Sequence, residues 1–134
     1  MSLQFNVVDL QLIAFSADSI VSNMVLENEI GLINSAIAAC HGTVPDNLMD
    51  QKQALEIKMN MLVIQVQTGG LTIEQYLNNV KSRIEQDKKC ALIFKRAGRL
   101  DLAKQALRRK KVAQDEVDEA EAAMAQQGEE DNDT

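Results

Sequence analysis

Apolar side chains recur every three or four residues along most of this chain, the spacing that lines one side of an α-helix. Leu26, Ile30, Ile33 and Ile37 follow in steps of four, three and four. They predict a first helix, opened by a cap at Ser16 or Asp18 and running to about Cys40. Gly42 ends it, and Gly31 inside it costs about 1 kcal/mol against Ala while leaving room for another helix to approach closely. Pro45 falls near the first position of a second helix, predicted over residues 46–68. That helix carries two stripes, Leu48, Leu55, Met59, Leu62 and Val66 on one side and Ile57, Met61 and Ile64 on another. A helix apolar on two sides is expected to lie between two neighbours.

Gly69-Gly70 stops the second helix, and Thr72-Ile73-Glu74-Gln75 then forms a capping box, with Leu71 placed for a hydrophobic staple. The third helix is predicted to run to about Ala97, with Ile73, Leu77, Val80 and Ile84 on its apolar face, continued by Ala91 and Phe94 and interrupted by Asp87 and Lys88. Gly98 is its C-cap and Asp101 the next N-cap. The fourth helix is predicted over residues 102–127 with a thin apolar face: Leu102, Ala106, Leu107, Val112, Val117, Ala120 and Met124. Phe5–Phe15 partly alternates, which fits a short strand or an added helical turn; residues 1–15 form a lead-in or the edge of a preceding domain. Residues 16–127 make the helical domain, and residues 128–134, without an apolar side chain, are expected to be a disordered acidic tail.

Short connections favour antiparallel neighbours. The expected fold is all-α: a three- to four-helix bundle, or a long helical hairpin with coiled-coil character. Composition agrees. The aromatic residues are Phe5, Phe15, Phe94 and Tyr76 alone, so Leu, Ile, Val, Met and Ala must build the core, with one Pro and six Gly in 134 residues. The six Met residues are expected mainly in that core, a Met-rich groove for a partner helix being the alternative.

The net charge of −6 argues against a general nucleic-acid binder, but the charge is segregated. Residues 1–51 contain no Lys or Arg. Ten of the 14 basic residues lie in Asp87–Lys111, and residues 112–134 contain nine acidic residues and no basic one. The corner formed by Lys95, Arg96, Arg99, Lys104, Arg108, Arg109, Lys110 and Lys111 is the candidate binding site. It suits an acidic protein surface or an anionic membrane; alternatively its cations solvate a helix face and pair with carboxylates such as Asp101 or Glu116. No aromatic platform accompanies it, which disfavours single-stranded nucleic acid.

No catalytic constellation emerges, and the chain is expected not to be an enzyme and to need no cofactor. His41 beside Cys40 lacks a third group to orient a nucleophile–base pair. Two isolated Cys and one His do not make a four-ligand zinc site. Gly69-Gly70 is not followed by Lys-Ser/Thr, so it is no phosphate loop. Met59–Val66 is too short and too interrupted for a membrane span. Free thiols without a leader segment suggest the cytoplasm.

The pattern Asp87-x-x-Cys90-Ala91, Lys95-x-Ala97-Gly98-Arg99-x-Asp101-x-Ala103 and Ala106–Lys111 resembles the core hairpin of ESCRT-III (charged multivesicular body) proteins. Residues 64–89 resemble helical segments of the coiled-coil and C2 domain-containing (Lethal giant discs) family, which engages ESCRT-III proteins. The spacing of Ala91, Phe94, Gly98, Asp101 and Ala106 is also similar to a single tetratricopeptide corner. The first resemblance implies a basic hairpin on anionic membranes, the second an adaptor. The function expected is therefore a non-enzymatic helical interaction or scaffold module in membrane trafficking. Its partner would be a protein with a helical or acidic surface. An ESCRT-III-like membrane hairpin and a coiled-coil homo-oligomerisation module are the alternatives.

Overall fold

The computed structural model describes residues 7–132 of the backbone and the side chains of residues 8–128. It is all-α, with no strand among the described residues. The elements are α1 (Val7–Ala14), a 3₁₀ turn (Ala17–Ser19), α2 (Asn23–Ala38), α3 (Asp46–Gln67), α4 (Ile73–Arg96) and α5 (Leu100–Asn132). α4 and α5 pack along their lengths as one hairpin, and α2 and α3 form a second. The hairpins join where α2 lies on α5, and α1 rests on α4. No helix among the described residues is long and apolar enough to cross a membrane.

The larger core is built where the predicted stripes meet. Leu26 and Val25 of α2, Leu55 and Leu62 of α3, Leu77, Val80 and Ile84 of α4, and Ala113 and Val117 of α5 form one buried cluster. A smaller cluster near the α4–α5 turn holds Ala14, Phe94, Leu102 and Ala103, with Phe15 and Cys90 against it. Phe15 stacks on Phe94 with ring centroids 5.6 Å apart, which fastens the end of α1 to α4. The Phe5–Phe15 segment is thus helical over Val7–Ala14, with Ala14 and Phe15 packed against Phe94; residues 1–6 lie outside the described residues.

Several boundaries differ from the sequence reading. Ser22, not Ser16 or Asp18, caps α2, its Oγ accepting from the Val25 amide at 3.1 Å. Ile20 is buried in the core, and the extended backbone it needs breaks the chain before Ser22. Asp101 sits inside the first turn of α5 rather than capping it. The turn at Gly98 is tighter than expected: Arg99 N–H donates to the Phe94 carbonyl at 2.9 Å and Gly98 N–H to that of Lys95 at 3.1 Å, closing a Schellman motif. α5 runs past Gln127 to Asn132, through most of the segment expected to be disordered, because each added helical residue gains a backbone hydrogen bond once the helix exists. Asp133 and Thr134 lie outside the described residues.

The capping box is present as predicted, with Gln75 N–H donating to Thr72 Oγ1 at 3.1 Å and Thr72 N–H to Gln75 Oε1 at 3.0 Å. Gly31 does not serve a close approach: a Cβ placed there meets nothing within 4 Å. Gly98 is needed, since its φ of +76° lies in the left-handed region. Gly31→Ala is therefore expected to stabilise the fold by up to about 1 kcal/mol, whereas Gly98→Ala destabilises it by about 1 kcal/mol. Urea denaturation of the two variants beside the parent chain checks both signs.

Candidate functional site

The structure divides the basic corner. Arg109 points inward and is 5% exposed. Its Nε donates to Glu29 Oε1 at 3.2 Å, its Nη1 to the Ala14 carbonyl at 3.4 Å, and its guanidinium lies 5.0 Å from the Phe15 ring centroid. Arg108 Nη2 donates to the same Glu29 oxygen at 2.9 Å. Arg99 pairs with Asp101 at 3.2 Å, and Lys111 approaches Asp115 at 3.8 Å. Lys95, Arg96, Lys104 and Lys110 have no carboxylate within ion-pair distance among the described residues. The corner is thus not one exposed field of eight cations. Arg109 is a core residue because its position continues the buried register Leu102, Ala106, Arg109, Ala113 and Val117.

Beside Arg109, a second arginine completes a charged layer. Arg83 Nε donates to Asp87 Oδ1 at 3.0 Å, and its Nη2 donates to the Ala14 carbonyl at 2.9 Å. Asp87, which seemed only to interrupt the α4 stripe, is 2% exposed. Burial raises its carboxyl above the ordinary carboxylate range, and the Arg83 and Arg109 guanidinium groups partly oppose that rise.

A separate polar cluster caps α2 from a distance. The first three amides of α2 have three different side-chain acceptors: Asn23 N–H to Tyr76 Oη at 2.8 Å, Met24 N–H to Glu116 Oε2 at 3.2 Å, and Val25 N–H to Ser22 Oγ at 3.1 Å. Tyr76 Oη and Ser22 Oγ both donate to Glu116 Oε1, at 2.6 and 3.0 Å. Burial and the neighbouring carboxylate push the Tyr76 phenol up, so it stays a donor. A carboxylate at a helix N-terminus is favourable for the macrodipole as well as for the amides. Glu116 therefore caps a helix rather than neutralising the basic corner. Asn23 Oδ1 is buried with no partner, and the structure offers no physical account of it.

No group of three or more His, Cys, Asp or Glu side chains among the described residues could hold a metal ion. Cys40 Sγ donates to the Ala36 carbonyl at 3.3 Å.

The surfaces carry more information. The Ile57, Met61 and Ile64 stripe of α3 faces solvent, each residue at least half exposed, although the sequence suggested a second neighbour for that face. α3 packs on α2 and the 3₁₀ turn on the side of Leu55, Met59 and Leu62. Met49 and Met61 are likewise exposed rather than core. At its N-terminal end the stripe meets a groove of about 490 Å³ that Ala54 and Leu55 line with Leu12, Phe15 and Ile33 and that Glu29 and Arg109 also border.

No family model, no curated protein and no solved structure matches this chain. The likeness of residues 64–111 to the two helical families therefore rests on those residues alone.

The charges the sequence reading missed were marked by register. Glu29 lies between Leu26 and Ile33, Asp87 between Ile84 and Ala91, and Arg109 between Ala106 and Ala113, each at three- or four-residue steps on a buried stripe. Removing one member of such a pair strands the other. Glu29→Ala is expected to cost about 3–5 kcal/mol, and the Glu29→Leu/Arg109→Met double variant much less. Chemical denaturation of both variants checks the difference.

Asp87 also sets a pH dependence. Its folded-state carboxyl binds a proton more readily than the unfolded one, so its contribution is fully present below the unfolded value and is lost as pH rises through the raised folded value. The parent chain should therefore gain stability relative to Asp87→Asn as pH falls from neutral into the carboxylate range. Thermal melts of both proteins across that range test the sign.

Proposed function

We propose that this chain is a non-enzymatic helical interaction module that takes an amphipathic helix of a partner protein along the outer face of α3. The observation that carries this reading is the exposed stripe of Ile57, Met61 and Ile64 on the side of α3 opposite its packed residues. Steps of four and three are the spacing at which one helix receives another. The flanks are Gln53, Asn60 and Gln67 on one side and Gln51 and Gln65 on the other, with Glu56 and Lys58 as one charge of each sign beside the stripe. A partner helix with a neutral apolar face thus meets no like-charge penalty there, and the amides supply hydrogen bonds at the rim. The groove at Ala54 extends the same surface toward α1 and can receive a further side chain.

The resemblance of the α4–α5 region to ESCRT-III hairpins and to their adaptors supports a setting in membrane trafficking, and the two free thiols support a cytoplasmic one. Substitutions on an exposed helix face change stability by no more than about 0.5 kcal/mol, so the face can be altered without losing the fold. Affinity capture with the parent chain and with Ile57→Glu/Met61→Glu, side by side, tests the reading. Helicity and melting temperature should be unchanged, and proteins retained by the parent chain should be lost from the variant. Equal capture by both would overturn it.

A further inference from the structure

The outer face of α5 is independent of the α3 stripe and has a different character. Leu100, Lys104, Leu107, Lys111 and Asp118 are all exposed and recur at helical spacing opposite the buried Leu102, Ala106, Ala113 and Val117. Along that face charge is sorted by position. Lys104, Arg108, Lys110 and Lys111 are followed by Asp115, Asp118, Glu119 and Glu121, and no basic residue follows Lys111. Arg109 and Glu116, which fall within these runs, are used inside the fold and do not belong to the face.

The helix itself does not favour this order: the macrodipole acts on the first and last turns, and neither run lies there. Internal pairing accounts for only part of it. Arg108 is paired with Glu29, Lys111 with Asp115 and Glu121 with Lys81, but Lys104, Lys110 and Glu119 have no salt bridge among the described residues, and the Asp118 carboxylate accepts from Gln114 at 3.0 Å. Lys111 reaches Asp115 at 3.8 Å within the chain, but the centres of the two segments lie about 15 Å apart along α5 at 1.5 Å per residue, so the rest of each segment cannot meet the other.

We propose that this face pairs antiparallel with the same face of a second copy of the chain, the basic segment of each α5 lying on the acidic segment of the other. A two-fold axis beside Gln114 brings Lys111 opposite Asp118 of the other copy and Leu107 opposite its Ala122. The contact is isologous, so each favourable pairing occurs twice. Antiparallel alignment also opposes the two helix dipoles, whereas parallel alignment stacks like charge on like charge. The exposed apolar residue Leu107 is covered in the same arrangement.

Sedimentation equilibrium of the full chain at low and high salt is the experiment. Lys110→Glu/Lys111→Glu and Asp118→Lys/Glu119→Lys are measured alone and as an equimolar mixture, with helicity as the folding control. The parent chain should approach twice its mass of 14.8 kDa at low salt and return to monomer near 1 M salt, where screening acts within about 3 Å. Each variant alone should be monomeric. Their mixture should recover a one-to-one dimer, because the reversed segment of one meets the reversed segment of the other. A parent chain that stays monomeric at every concentration and salt overturns the proposal, as do variants that associate like the parent or a mixture that does not recover. Flotation of a monomeric parent chain with vesicles containing anionic lipid, lost only in Lys110→Glu/Lys111→Glu, would overturn it in favour of a bilayer.

Discussion

Arg109 is placed so that four helices share it. It stands on α5, pairs with Glu29 of α2, donates to the carbonyl at the end of α1, and lies over Phe15, whose ring stacks on Phe94 of α4. A guanidinium removed from water needs a counter-charge and acceptors for its donors, and only one rotation of α5 against α2 supplies them. The pair adds little net stability over an apolar replacement. Its effect is on selection, since any other facing of the helices leaves a buried charge alone. Arg83 and Asp87 extend the same constraint along α4.

The same layer explains how α1 is held. Val8, Leu12 and Ile13 are more than half exposed, so burial contributes little to this eight-residue helix. Its C-terminal end is fixed instead: Ala14 is buried, and its carbonyl, which no further turn of helix satisfies, accepts from two arginines. α2 is fixed at its opposite end by Ser22, Tyr76 and Glu116. In both cases a helix terminus is completed by side chains distant in sequence, so the ends of short helices depend on the assembled fold.

With its charges partly internalised, the molecule presents two surfaces of unlike chemistry. The outer face of α3 is apolar with neutral amide borders, and that of α5 is polar with its charges sorted along the axis. Apolar contact is short in range and depends on shape, while sorted charge acts over a Debye length and is sensitive to salt. The first therefore suits a fitted helix, and the second a partner bearing the inverse charge order, which this chain itself carries.

The helices could be read directly from the chain because their causes are local. The Thr72–Gln75 box, the left-handed turn at Gly98 and the stripes through Leu26, Leu55, Leu62 and Val80 each depend on residues within a few positions. Which stripe faces a neighbour is not local. Leu55 and Ile57 are equally apolar, yet one is buried and the other exposed, because α3 has packed neighbours on one side only. The same limit hid the cap at Ser22, whose helix end is completed by Tyr76 and Glu116, and the inward turn of Arg109 within a run of four basic residues. The sequence by itself determined an all-α chain, most of its helices, and the sorting of charge along α5. The tertiary structure decided which charges are paired inside and which faces are left exposed, since desolvation depends on neighbours that only the assembled helices bring together.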